Sequence, residues 1–262
     1  MDFRQRGTPI GHRRHPCHNQ LGGRQRNKDL RVSPTQKMSF AENWDADRGL
    51  IQGCAWWSHR AYGGSIDFAL HPHKRITIGV ASALVVVAGP YCVVAVRGTM
   101  RSFFDWLTNF RVRPKEGRHC GFRLESDQLR HRILKAIDAL QAGDLDLIIC
   151  GHSQGGAIAI NLAYDLGRDV HRVITFGAPP AFDRRMAAMW DDSHYDHTWR
   201  VVNGPDPVPQ FLPIQYRHVG RLAYLDGKGR AWPVVRRWDF RRRVFERSHA
   251  LGGRRGYIAQ LS

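Results

Sequence analysis

Apolar residues cluster in short runs from about residue 45 onward. Ala83–Ala88 and Cys92–Val96 are nearly uninterrupted apolar runs of strand length, rich in valine. Runs of that kind predict strands buried on both faces. The uncharged stretch 76–96 is also long enough to cross a bilayer. Gly89-Pro90 inside it and its β-branched flanks instead predict two strands joined by a turn. Leu129, Ile133, Ile137 and Leu140 fall on one face of a helix, with Gly143 as a stop signal. Leu145–Cys150 predicts another buried strand, and a small-residue apolar helix runs from Gly155 to about Leu166, ended by Gly167. Val173–Phe176 and Trp199–Val202 read as further strands, and Tyr216–Leu225 alternates as a strand does. Strands alternating with helices predict a mostly parallel sheet covered on both faces. No internal repeat is visible, and the length suits one large α/β domain.

Residues 1–37 break this pattern. They are rich in Arg, Gly, Gln and His, and hold nine Lys/Arg against two acids. Such a segment buries too little apolar surface to offset its ordering entropy. It is expected to be a disordered basic tail, followed by one catalytic domain over 38–262. His12, His15, Cys17 and His18 sit in this tail without a second ligand pair at finger spacing, and no metal site is expected. The five cysteines include no CxxC pair, which argues against a disulfide framework or a zinc site. Cys150 reads as a small core residue closing its strand. Neither the first residues nor a start at Met38 supplies the apolar run of a secretory signal. The expectation is a chain with no signal peptide and no transmembrane helix, in the cytoplasm or an undetermined compartment.

The formal net charge of +17 changes the picture of partners rather than of fold. It attracts anions: anionic lipid headgroups, acidic substrates or nucleic acid. A second basic cluster comprises Arg236, Arg237, Arg241, Arg242, Arg243 and Arg247.

The strongest chemical signal is Gly151-His152-Ser153-Gln154-Gly155. A buried strand runs directly into it and an apolar helix directly out of it. In that setting a serine sits on a sharp strand-to-helix turn with its hydroxyl exposed above the sheet. Side chains at Gly151 and Gly155 would collide as strand and helix close up. The helix N-terminus brings amide groups and the positive end of a dipole to a developing oxyanion. A serine hydroxyl needs a base, and with this turn the acid and then the histidine follow in the chain. His249 and His218 are the candidates for the base. His249 is preferred because it lies in a loop after the last strand, whereas His218 lies within a strand-like segment. Asp206 is preferred for the acid, in a proline-stiffened loop directly after strand 199–202, over Asp183.

These residues are part of a longer resemblance. Val94–Thr99 (VAVRGT), Asp105-Trp106, His119–Phe122 (HCGF), GHSQGG, Val173–Asp183 (VITFGAPPAFD), Asp206–Pro209 (DPVP) and His249 followed by Tyr257 occur in order. In that order they resemble the class 3 lipases, the fungal-type triacylglycerol lipase family, over roughly residues 50–258. The resemblance implies an α/β-hydrolase fold, with a mostly parallel central sheet and helices on both faces. It implies a triad of Ser153, Asp206 and His249, with backbone amides of Thr99 and Gln154 as the oxyanion hole. It implies a lipid or ester substrate and no metal or organic cofactor. Gln154 stands where leucine is usual, which leaves the backbone donor in place. Ser248 stands where an aspartate is frequent. Phe103, Phe104 and Trp106, in the short segment after Thr99, are candidates to line an acyl pocket or form a small lid, with a core-facing helix as the alternative. A phospholipase, an amide or thioester hydrolase and an acyltransferase would use the same residues. So basic a chain could also dock on an anionic membrane surface. A non-catalytic basic protein binding membrane or nucleic acid would not need all three polar residues, and nucleic acid is not the expected partner.

Overall fold

The computed structural model describes residues 34–98, 114–166, 170–204, 206–210, 215–226, 228, 230–233, 249–253 and 256–262. The chain enters this region through a long helix, α1 (Pro34–Ala61). Three antiparallel strands follow: β1 (His73–Ile78), β2 (Ala81–Ala88) and β3 (Tyr91–Val96). The uncharged stretch 76–96 is thus the end of β1 and two buried strands. No helix among the described residues is long and apolar enough to cross a membrane.

Two short strands, β4 (Pro114–Lys115) and β5 (Arg118–His119), precede helix α2 (Cys120–Ala139). Then come β6 (Asp146–His152), α3 (Gln154–Leu166), β7 (Arg172–Phe176), β8 (Phe182–Asp183) and α4 (Arg184–His194). The remaining elements are β9 (Thr198–Asn203), β10 (Tyr216–Arg217), β11 (Arg221–Leu225), β12 (Ala231–Trp232) and α5 (Tyr257–Leu261). The main sheet runs β1-β2-β3-β6-β7-β9-β11-β12, and β4, β5, β8 and β10 form a small second sheet. β3, β6, β7, β9 and β11 are parallel neighbours. This is the α/β-hydrolase arrangement that the sequence implied.

Alternation along the strands explains the layers. Cys92, Val94 and Val96 of β3 and Leu147 and Ile149 of β6 face one side, where they join Phe122, Leu129, Ile133 and Ile137 of α2 and Ile158 and Leu162 of α3. Val93, Ala95, Ile148, Cys150, Ile174 and Phe176 face the other, against Trp44, Ile51, Cys54 and Ala55 of α1 and Tyr257 and Leu261 of α5. Each large side chain buried there contributes about 1.5–3 kcal/mol. Small residues on α1, Cys54, Ala55 and Ser58, let it lie close to the sheet. Its middle is tied by Asp47, which accepts from Arg172 Nε at 3.2 Å and from Trp199 Nε1 at 2.8 Å.

Three differences from the sequence reading stand out. Residues 34–37, assigned from composition to the tail, are the first turn of α1. The strand-like stretch 216–225 is two strands, split at Gly220 (φ 76°). A Cβ at Gly220 would lie 2.4 Å from Thr198 Cγ2, so the backbone turns there against β9. The helix after the elbow starts one residue earlier, at Gln154.

Candidate active site

The carboxyl ends of the parallel strands converge on one edge, where ligands of open α/β sheets bind. Gly98 follows β3, Ser153 follows β6, Gly177 follows β7 and Asp206 follows β9. Ser153 takes φ 56°, a left-handed conformation that costs a non-glycine residue about 1–3 kcal/mol. The elbow that imposes it has no room for side chains at either glycine. A Cβ on Gly151 would stand 2.4 Å from the Gly155 carbonyl oxygen, and one on Gly155 would stand 2.3 Å from that of Val96. The turn is pinned from both sides: Ser153 N–H donates to Phe176 O (2.9 Å) and Gly156 N–H to Ser153 O (3.0 Å).

The structure brings Ser153, His249 and Asp206 together in a line. His249 Nε2 is 2.9 Å from Ser153 Oγ, and His249 Nδ1 is 3.0 Å from both oxygens of Asp206. Asp206 is fully buried. A buried carboxylate is acceptor-only and needs donors on every side. Beside the imidazole it has the Tyr257 hydroxyl at 2.5 Å on Oδ2 and the Val208 N–H at 3.0 Å on Oδ1. Burial, followed by the Asp206 charge, pushes the Tyr257 hydroxyl well above its ordinary pKa, so it remains a donor. Its oxygen in turn accepts the Asn203 N–H at 3.1 Å.

The competing residues have other partners. Asp183 caps α4, accepting the Met186 N–H at 2.8 Å. His218 is paired through Nε2 with the Pro209 carbonyl at 2.6 Å, which ties the loop after Asp206 to the segment between β10 and β11.

Gln154 opens α3, so its N–H belongs to the first helical turn, whose amides lack intrahelical acceptors. Its side chain is held away from the helix by Glu125 of α2, with Nε2 2.5 Å from Oε1. Burial raises the Glu125 carboxyl, and the Gln154 hydrogen bond opposes that shift. Thr99, Phe103, Phe104 and Trp106 lie outside the described residues, as do Ser248 and the arginines between 236 and 247. Among the described residues there is no group of His, Cys, Asp or Glu arranged to hold a metal ion.

Two contributors were not singled out in the sequence. Gly177 (φ 57°) leaves space for the polar line, because a Cβ there would lie 2.5 Å from Asp206 Oδ2 and 3.1 Å from His249 Nδ1. The only signal was its place in the FGAPP segment directly after a strand. His152 was read only as the residue between Gly151 and Ser153, yet its ring stands 4.5 Å from that of His249.

Three histidines desolvated by the fold, His119 and His152 buried and His218 partly buried, make stability depend on pH. Burial lowers His218 to about 3 and His119 to about 4, and lowers His152 well below its ordinary value. A histidine depressed in the folded state keeps its full contribution above the unfolded value, about 6.5. Below that the unfolded chain takes up protons first, and the contribution is lost as pH falls through 4 to 3. The melting temperature is therefore expected to fall steadily from pH 6.5 to pH 4. A flat profile over that range in differential scanning fluorimetry would contradict the neutral, buried assignment.

The polar line, the strained turn and the sheet edge can be compared with known proteins. Residues 93–216 match the family model described as "Lipase (class 3)". A curated relative, "Phospholipase A1-II 4" of Oryza sativa subsp. japonica, is 28% identical over 102 residues, 36% of this chain. The match spans only 26% of that relative's length. Among solved structures, the lipase from Rhizopus microsporus var. chinensis superposes with a TM-score of 0.59 at 22% identity, covering 69% of this chain and 75% of its own. The mono- and diacylglycerol lipase from Aspergillus oryzae gives 0.58 at 22% identity, covering 69% and 79%. The Lip2 lipase from Yarrowia lipolytica gives 0.59 at 17% identity, covering 70% and 80%. At those identities the likeness is one of fold.

Proposed function

We propose, from the premise that this chain belongs through residues 93–216 to the class 3 lipase family, that it is a serine ester hydrolase acting on acyl esters of lipids. The observation that carries the reading is the continuous hydrogen-bonded line from Asp206 through His249 to Ser153, ending on a strained turn. In the proposed reaction His249 Nε2 accepts the Ser153 proton as Oγ attacks the ester carbonyl. Asp206 holds Nδ1–H, which fixes the tautomer and stabilises the imidazolium. The Gln154 amide, with that of Thr99, donates to the oxyanion of the tetrahedral intermediate. The imidazolium then protonates the leaving alcohol, and water hydrolyses the acyl-enzyme by the reverse proton path. No cofactor enters this chemistry.

A phospholipase reading uses the same atoms and is favoured by the rice phospholipase relative. The net charge of +17 supports an anionic lipid surface as the place of action. A hydrolysis panel of p-nitrophenyl esters, glycerolipids and phospholipids, with Ser153→Ala as control, tests both. Ester turnover that Ser153→Ala abolishes is expected, and faster release from phospholipid than from triacylglycerol would select the phospholipase. Turnover that survives the substitution, with contaminants excluded, overturns the proposal.

A further inference from the structure

His152 and Tyr62 are two polar side chains that the proposed reaction does not use, and both lie against it. His152 is buried on the residue before the nucleophile. Its Nε2 is 2.5 Å from the backbone carbonyl of His249, and its Nδ1 is 2.9 Å from the Tyr62 hydroxyl at the end of α1. The directions of these bonds follow from chemistry. A carbonyl only accepts, so Nε2 carries the proton. Burial and the neighbouring His249 keep the ring neutral, so Nδ1 is a lone-pair acceptor and Tyr62 donates to it. Burial pushes the Tyr62 hydroxyl up to about 12, and the Gly98 backbone N–H lies against its oxygen. Gly98 is packed so tightly there that a Cβ would stand 2.5 Å from Tyr62 Oη, 2.6 Å from the His152 carbonyl oxygen and 3.2 Å from Ser153 Cβ.

The result is one directional chain, Tyr62 O–H to His152 Nδ1 and His152 Nε2–H to the His249 carbonyl, with Gly98 packed against the Tyr62 hydroxyl. It joins the backbone that leads into Thr99, the residue before the nucleophile and the main chain of the base. Gly98, His152 and His249 are far apart in the sequence.

We propose that Tyr62 and His152 are positioning residues, forming a brace that fixes the His249 imidazole against Ser153 and the strand-β3 end at one separation. Its catalytic consequence rests on the hydrolase reading; its structural consequence does not. A displacement of about 1 Å in a reacting group costs on the order of a hundredfold in rate. His152→Phe, which removes both bonds, is expected to lower kcat on p-nitrophenyl butyrate about a hundredfold, with KM within about threefold of the parent. His152→Gln keeps an amide N–H at the reach of Nε2 and should recover at least about tenfold of that loss. Tyr62→Phe should lower kcat about tenfold. Where His152→Phe fails to fold, the other two variants carry the test.

A second readout needs no turnover. Tyr257 and Ile258 donate their N–H groups to the carbonyls of Ala250 and Leu251, so their hydrogen exchange reports release of the segment that carries His249. Faster exchange at these amides in Tyr62→Phe and His152→Gln than in the parent supports the brace. Parent exchange rates in both, or parent kcat in Tyr62→Phe together with equal kcat in His152→Phe and His152→Gln, would overturn it. A parent without esterase activity but with accelerated exchange in the variants would sink the hydrolase reading and leave the brace standing.

Discussion

Ser153→Ala is expected to cut ester hydrolysis at least about a thousandfold while leaving the fold intact. The loss follows from the proposed chemistry, in which the 2.9 Å contact to His249 Nε2 is the path by which a weak hydroxyl becomes a nucleophile. The fold should survive because the elbow is held by backbone groups. Ser153 N–H to Phe176 O and Gly156 N–H to Ser153 O do not involve the side chain. The clashes that forbid other residues are at Gly151 and Gly155, not at position 153. Alanine at φ 56° bears about the same backbone strain as serine, so the melting temperature should stay within a few degrees of the parent. The check is kcat/KM on a short ester beside a thermal melt of each protein. Activity within tenfold of the parent would remove Ser153 from the chemistry.

Asp206→Asn has the second largest expected effect. Asp206 accepts from three donors at once: His249 Nδ1–H, the Tyr257 hydroxyl and the Val208 N–H. Asparagine has only one acceptor oxygen, and its NH2 must meet one of those donors. The cheapest escape is for His249 to move its proton to Nε2, which then points at Ser153 Oγ and can no longer take its proton. A wrong tautomer of this kind costs on the order of 10³–10⁴ in kcat. Because the site is fully buried, the mismatch also destabilises the fold by about 1–3 kcal/mol. A large kcat loss with a small shift in the melt is the expected pair of results. A large shift in the melt with kcat preserved would make Asp206 a structural carboxylate.

How much of this was legible in the chain depended on whether the signal was local. The strands β2, β3, β6, β7 and β9 announce themselves because residues buried on both faces form continuous apolar runs. The elbow was legible because strand, glycines and helix are contiguous. α1 was not, since Gly49 and Gly53 interrupt it and many of its residues are polar. Its helical state rests on Trp44, Ile51, Cys54 and Ala55 packing against the sheet, which no local window shows. The edge strand β1 hides for a similar reason: His73, Lys74 and Arg75 occupy half of it. A loop position after the last strand favoured His249 over His218, which lay in a strand-like stretch, but the physical reason became visible only in the fold, where His218 is occupied by the Pro209 carbonyl. Tyr62, His152 and Gly177 meet partners that lie 29 to 97 residues away in the chain, so only the assembled fold shows those contacts.

The central claim is that Ser153 is a nucleophile activated by His249. The most direct measurement is covalent labelling with a fluorophosphonate, located by peptide mass spectrometry, in the parent and in His249→Ala. Stoichiometric phosphonylation of Ser153 alone, slowed at least about a hundredfold in His249→Ala, is the predicted result. An unlabelled Ser153 in folded protein, or labelling at the same rate in both proteins, would contradict it.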